Sequence, residues 1–159
     1  MTLPTPIEYD QASPTVKAVY DDIMATRKTD WVNNFWKVLA NHPENLQRIW
    51  SNIKQVMGNG ALDPLTKELI YVAVSITNNC GYCIASHSAG ARAKGMTDEQ
   101  FGELLAVIGL ANETNRLAIG YGVPIDDADR RRHLATCRPV LTPTCSSADT
   151  CHAIESKCI

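Results

Sequence analysis

The length, composition and charge of the chain indicate one soluble domain with its own hydrophobic core. It has 159 residues, of which 45% are hydrophobic, and a net charge of −2, values typical of a small globular protein. This charge argues against nucleic acid or an anionic membrane as the main partner. The longest apolar run, residues 69–76, is far shorter than the roughly 20 residues of a membrane span. The N-terminus, MTLPTPIEYD, lacks the basic and apolar segments of a secretory signal, so we expect a cytoplasmic protein.

Helical signals follow one another along the first half of the chain. After an extended arm (residues 1–12), Ser13-Pro14 supplies an N-cap followed by proline at the first helical position, which predicts a helix to about residue 27. Apolar residues at helical spacing predict two more helices, over residues 31–40 and 43–57. Asp63-Pro64 repeats the cap-and-proline signal and begins a fourth helix.

The tryptophans and the later helices complete the predicted architecture. Trp31, Trp36 and Trp50 occur at helical spacing, which favours core positions over a substrate pocket. Thr97 begins a further helical region, with Gln100 completing a capping box, and we expect two helices that meet near residues 109–110. Strand-like alternation is absent from the sequence, so the predicted fold class is all-α.

The fourth helix carries an unusual carboxylate. Its apolar residues leave almost no polar face, which predicts a helix buried on all sides. Glu68 lies inside this run, and a carboxylate removed from water is costly unless it is paired or keeps its proton. The alternative is that Glu68 marks the exposed edge of an ordinary core helix.

Two cysteines and a histidine follow at a helix start. Cys83 and His87 lie three and seven residues after Cys80. At about 100° per residue, the three side chains fall within a stripe about 60° wide on one helix face. In a cytoplasmic protein, such a Cys-x-x-Cys pair is more often redox-active or metal-binding than structural.

The complete motif resembles a known family. Glu68, eleven intervening residues, Cys80, two more, Cys83, three more and His87 resemble the core motif of the AhpD-like alkylhydroperoxidases, within the carboxymuconolactone decarboxylase superfamily. The resemblance extends over residues 41–123. It implies an AhpD-like helical bundle with the Cys-x-x-Cys at the N-terminus of a central helix. A core domain over residues 41–123 would then follow an N-terminal arm and helices over residues 1–40.

The resemblance implies a thiol peroxidase with an antioxidant role. Such an enzyme reduces organic hydroperoxides or hydrogen peroxide through a dithiol/disulfide cycle, with Cys83 attacking, Cys80 resolving, and His87 and Glu68 relaying protons. Helix position alone favours Cys80 as the attacking thiol, because it is nearer the helix end, so the residues themselves leave the order open. Tyr82, between the cysteines, is a further candidate that shields the site or hydrogen-bonds within it.

The implied partners are a small peroxide, a dithiol or protein reductant, and further copies of the chain in a trimer or hexamer. No metal or organic cofactor is implied. Two alternatives remain. One is a lactone decarboxylase of the same superfamily, a branch that is not organised around a Cys-x-x-Cys. The other is a metal-binding or redox-sensing module using Cys80, Cys83, His87 and Glu68, whose ligand types suit zinc.

The composition changes after residue 123. Residues 124–159 are rich in Thr, Ser and Pro and contain four cysteines and two histidines: Cys137, Cys145, Cys151, Cys158, His133 and His152. The cysteines are eight, six and seven residues apart, which matches no defensible zinc pattern. We therefore favour a mobile tail with incidental thiols over a second metal or disulfide site.

Overall fold

The computed structural model describes residues 3–130, and the regular structure in that range is helical. This confirms the all-α prediction. A short 3₁₀ turn (Tyr9–Gln11) is followed by helices α1 (Pro14–Arg27), α2 (Asn34–Leu39), α3 (Pro43–Met57), α4 (Pro64–Thr77), α5 (Gly81–Ala93) and α6 (Asp98–Gly120). The tail cysteines and histidines predicted to be incidental lie outside the described residues.

Helices α1, α2 and α3 enclose a hydrophobic core. Its largest fully buried side chains include Tyr20, Trp36 and Leu46, and Trp50 packs beside them. The α1 helix starts as predicted, with Ser13 Oγ accepting a hydrogen bond from the Val16 amide at 3.4 Å. Trp36 and Trp50 are buried as expected.

The predicted second helix over residues 31–40 was too long. Asn33 takes an extended backbone conformation at the N-cap, so α2 begins only at Asn34. Trp31 precedes this start and is 61% exposed. The core assignment is therefore wrong for Trp31, because apolar spacing alone does not locate a helix start.

Helices α4 and α5 form a hairpin. Asp63 caps α4 by accepting hydrogen bonds from the amides of Leu65 and Thr66, both at 3.0 Å. The turn between the helices is short, and Asn79 supplies its left-handed residue with φ of 56°. A short connection makes consecutive helices antiparallel neighbours, so the middle of α4 lies opposite the middle of α5.

The α4 helix is not buried on all sides, contrary to the prediction. Glu68, Val72 and Ser75 are its buried residues. Ile70 is 49% exposed and Val74 is 53% exposed. Apolar residues in sequence predict a preference for burial, but residues 3–130 do not cover that face of the helix.

The predicted break near residues 109–110 is also wrong, because α6 is continuous. A single interior glycine costs only about 1 kcal/mol, and residues 98–120 contain no proline. The Thr97–Gln100 capping box forms as predicted, with bonds of 2.9 and 3.1 Å.

Within residues 3–130, no helix combines the length and apolar character needed to cross a membrane. The described residues fall into two compact units divided after Ile108.

Candidate active site

A cleft of about 690 Å³ lies within the first unit, and it exposes part of the predicted motif. Glu68, Cys83 and His87 line it, and so does Tyr82. Aromatic and aliphatic side chains from α2 and α3 supply much of the opposite wall, and α1 contributes Thr26 and Arg27. The cleft therefore joins the motif on α4 and α5 to the N-terminal helices.

The two cysteines of the motif occupy different positions at the start of α5. Cys80 is the N-cap residue, and its Sγ accepts a hydrogen bond from the Cys83 amide at 3.3 Å. The two residues form a disulfide with their Cα atoms 5.3 Å apart. Cys83 lines the cleft, whereas Cys80 is not among the described residues that do so.

Glu68 is the centre of a three-residue polar cluster. Its side chain is buried, with 7% of the residue exposed. One carboxylate oxygen lies 2.7 Å from His87 Nδ1, and the other accepts a hydrogen bond from Lys94 Nζ at 2.8 Å. The alternative that Glu68 marks an exposed helix edge is therefore wrong.

The charge of Glu68 is fixed by these contacts. Burial raises the pKa of a carboxyl group, but here the hydrogen bonds and charges of His87 and Lys94 outweigh it and lower the pKa of Glu68. An ionised Glu68 accepts hydrogen bonds only, so His87 Nδ1 carries a proton. This leaves His87 Nε2 as the nitrogen that can exchange a proton with another group.

Two further residues hold this arrangement in place. The Tyr71 ring stacks on the imidazole of His87, with ring centres 3.7 Å apart and planes inclined by 16°. Gly90 leaves space for the Glu68 carboxylate, because a Cβ atom at this position would lie 3.1 to 3.2 Å from its atoms. The histidine is therefore oriented by a ring face and by a hydrogen bond.

Comparison with a solved structure decides the family. The AhpD alkylhydroperoxidase core of Rhodospirillum rubrum superposes with a TM-score of 0.78 and shares 52% of its sequence, over 82% of this chain and 98% of that one. This chain belongs to the AhpD-like alkylhydroperoxidases. Residues 43–121 match the carboxymuconolactone decarboxylase family, as the motif indicated.

Two curated relatives match shorter stretches of the chain, and the second carries the AhpD name. "Uncharacterized protein 4 in cox locus" of Paracoccus denitrificans is 48% identical over 54 residues, or 34% of this chain. Alkyl hydroperoxide reductase AhpD of Solibacter usitatus is 38% identical over 72 residues, or 45% of this chain. The aligned stretches cover 49% and 39% of those proteins, so about half of their length or less is shared.

In this AhpD-like chain, Tyr82 makes its contact across the cleft. Its hydroxyl accepts a hydrogen bond from the Phe35 amide at 3.2 Å, and the two rings lie 6.4 Å apart between centroids. Tyr82 thus connects the Cys-x-x-Cys segment to the start of α2. Of the two roles considered for it, the geometry favours hydrogen bonding, with the N-terminal helices as its partner.

Lys94 and Tyr71 were not predicted from the sequence as site residues. A signal for Lys94 exists, because it follows Cys80 by fourteen residues and so falls on the same helical stripe as Cys83 and His87. Tyr71 lies on another helix, and no spacing rule connects it to His87. Within the part of the chain that the structure describes, no group of three or more His, Cys, Asp and Glu side chains is arranged to hold a metal ion.

Proposed function

We propose that this protein is a thiol-dependent peroxidase that reduces organic hydroperoxides or hydrogen peroxide, as part of antioxidant defence. One observation carries the proposal. Cys83 lines the cleft one helical turn before His87, whose Nδ1 is bound to the ionised Glu68. Residues four apart on a helix have Cβ atoms about 5–6 Å apart, so His87 Nε2 is suitably placed to take the proton of the Cys83 thiol.

The positions of the two cysteines support a proposed order of attack. Cys83 is the cysteine that faces the cleft, which favours it as the thiolate that meets the peroxide. Cys80 Sγ is the cap of α5, where the helix N-terminus stabilises a thiolate. This favours Cys80 as the leaving thiolate when the disulfide is reduced. The role of resolving thiol is supported by its absence from the described cleft lining.

The proposed cycle is balanced in atoms and electrons. The Cys83 thiolate attacks the O–O bond of ROOH, giving Cys83 sulfenic acid and an alkoxide that takes its proton from His87. The Cys80 thiol then displaces water, and the Cys80–Cys83 disulfide forms. A dithiol R′(SH)₂ reduces this disulfide by exchange, so the sum is ROOH + R′(SH)₂ → ROH + H₂O + R′S₂.

Glu68 and Lys94 act through His87 in this cycle. Glu68 stabilises the imidazolium that forms when His87 accepts the thiol proton, and Lys94 keeps Glu68 ionised. They are positioning residues, because neither needs to touch the peroxide.

A homo-oligomer, a trimer or hexamer, belongs to the same proposal. The half-exposed apolar side chains Ile70 and Val74 on α4 support it, because contiguous apolar surface is usually covered by a partner. Sedimentation equilibrium would measure the number of copies.

We also propose a cytoplasmic location, where reducing conditions would return the disulfide to the dithiol. The proposed core domain covers residues 41–123.

The test of the peroxidase proposal is hydroperoxide consumption with excess dithiothreitol. Wild type is compared with Cys83→Ser, Cys80→Ser and the double variant, and the tail variant Cys137→Ser serves as the matched control. We expect Cys83→Ser to abolish turnover, and Cys80→Ser to accumulate a sulfenic acid that dimedone traps at Cys83. Wild-type turnover no faster than that of the double variant, with several peroxides and dithiols, would refute the thiol cycle.

A further inference from the structure

The cleft carries an excess of positive charge. Arg27, Lys54 and Lys94 line it, and Glu68 is its one carboxylate among the described residues. With His87 counted as neutral and Asp22, the partner of Lys54, included, three positive charges and two negative charges give a formal charge of +1, whereas the whole chain carries −2. A cleft of one sign concentrates field lines and draws ligands of the opposite sign.

Of the three cations that line this cleft, Arg27 is the one with no carboxylate ion-pair partner within residues 3–130. Lys54 is paired with Asp22, and Lys94 with Glu68. The Arg27 guanidinium instead lies over the rings of Trp36 and Trp50, at 5.6 and 5.5 Å from their centroids. Contact with ring faces holds the group in place but uses none of its five N–H donors.

The surroundings of Arg27 combine access with partial removal from water. Its side chain is exposed at the surface of the cleft wall, yet burial by the surrounding protein lowers its pKa, while Tyr82 and Glu68 act in the opposite direction. A guanidinium stays charged in proteins. In a concave wall of this kind it interacts with an anion more strongly than it would in bulk water.

The remaining wall suits an apolar body. Phe35, Trp36, Trp50, Ile53 and Met57 all line the same cleft, and its volume is in the range of small-molecule sites. A ligand that satisfies both the wall and the guanidinium has an apolar body and an anionic end. Among anionic groups, a carboxylate matches the planar guanidinium with two parallel hydrogen bonds.

We propose that Arg27 binds the carboxylate of an organic hydroperoxide with an apolar body, and so selects anionic peroxides over neutral ones. This inference rests on the proposed peroxidase function for the identity of the reacting group. Arg27 contacts only the carboxylate and takes no part in electron transfer. The hydroperoxide is reduced to its alcohol at Cys83 by the cycle given above.

The first test measures binding without chemistry. Calorimetry compares para-carboxycumyl alcohol, the unreactive reduction product, with its methyl ester. We expect wild type to bind the acid about tenfold or more tightly than the ester, because the ester cannot make the charge-assisted contact and a contact of that kind contributes about this much to affinity. Arg27→Met should remove the preference and Arg27→Lys should keep part of it. The matched control Arg48→Met, which removes an exposed arginine of α3 that does not line the cleft, should keep all of it.

Equal binding of acid and ester by wild type would overturn the inference. A preference that survives in Arg27→Met would also overturn it. Thermal melts show whether each Arg27 variant is folded. If Arg27→Met does not fold, the test is decided by Arg27→Lys, which is expected to keep part of the preference for the acid.

The second test measures turnover of para-carboxycumyl hydroperoxide and its methyl ester, with the neutral reductant dithiothreitol. We expect kcat/KM to favour the acid in wild type and not in Arg27→Met. If the acid binds with Arg27 dependence but no peroxide is consumed, the peroxidase proposal fails while the anion site stands. If both peroxides react equally and Arg27 instead discriminates an anionic from a neutral dithiol, the assignment of the carboxylate to the peroxide is overturned.

Discussion

The most informative single substitution is Gly90→Ala, because it adds one methyl group beside the Glu68 carboxylate. In the middle of a helix, alanine is favoured over glycine by about 1 kcal/mol. The added Cβ would lie 3.1 Å from both Cδ and one oxygen of Glu68 and 3.2 Å from the other oxygen. The carboxylate must therefore move by a few tenths of an ångström, away from its positions beside His87 and Lys94.

The cost of that movement can be set against the gain in helix propensity. A hydrogen bond to a charged group contributes about 1.5–3 kcal/mol, with the lower end fitting Lys94, whose side chain is 38% exposed. Weakening two such bonds by a third to a half costs about 1–3 kcal/mol. We therefore expect Gly90→Ala to leave the free energy of unfolding unchanged or to lower it by up to about 2 kcal/mol.

Gly102→Ala is the matched control. It is the same change inside α6, where an added Cβ meets no described atom within 4 Å, so it should raise the free energy of unfolding by up to about 1 kcal/mol. Urea unfolding of the two variants in one redox state measures the difference. Peroxide turnover should also fall by roughly tenfold in Gly90→Ala, because His87 loses its fixed partner. Equal stabilisation of both variants, with undiminished turnover in Gly90→Ala, would refute the idea that Glu68 is held rigidly.

Three further predictions follow from the same contacts. Because the pKa of Glu68 is lowered on folding, the stability that Glu68 contributes is present above its unfolded-state pKa of about 4.3 and is lost as the pH falls through its folded-state pKa. The free energies of unfolding of wild type and Glu68→Gln, measured in urea, should therefore differ at neutral pH and converge in acid. A difference independent of pH would contradict this. Lys94→Met should raise the pKa of Glu68, as a carbon-13 NMR titration of its carboxyl would measure, and an unchanged pKa would exclude a role for Lys94 in keeping Glu68 ionised. Asp63→Ala removes the side-chain cap of α4 and should lower the free energy of unfolding by about 1 kcal/mol, whereas His42→Ala, at a helix start without such a cap bond, should change it little; equal effects in urea unfolding would contradict the capping argument.

Local signals in the sequence located most of the helix starts. Ser13-Pro14, Asp63-Pro64 and the Thr97–Gln100 capping box each depend on residues within one turn of one another, so the chain itself determines them. The extent of helices was less predictable. Whether Gly109 breaks α6, or whether Trp31 joins α2, depends on small free-energy differences that spacing does not reveal.

In the candidate site, too, features set by spacing within one helix were predictable and features set by contacts between helices were not. Cys80, Cys83 and His87 share one helix face, so their proximity is a matter of spacing, and the charge of Glu68 required a partner that the motif supplied. Lys94 had a spacing signal on the same stripe, whereas Tyr71 and the position of Arg27 over two indole rings depend on how helices pack. The exposure of Ile70 on α4 was unpredictable for the same reason, because an apolar residue in sequence does not reveal whether other helices of the chain pack against it.

The cleft draws its two walls from different parts of the chain. The groups proposed to carry out the redox chemistry lie on α4 and α5, inside the stretch that matches the family, whereas Arg27 and Phe35 lie before it. The residue proposed to bind the carboxylate and the groups proposed for the redox chemistry thus lie in separate segments, while Trp50 and Ile53 of the apolar wall lie inside the matched stretch. We expect a change at Arg27 of α1 to alter which molecules bind without disturbing the dithiol, so the two properties can evolve at different rates. For the same reason, we expect that exchanging residues 14–39 between homologues would change ligand preference while leaving the sequence of the α4–α5 hairpin unchanged.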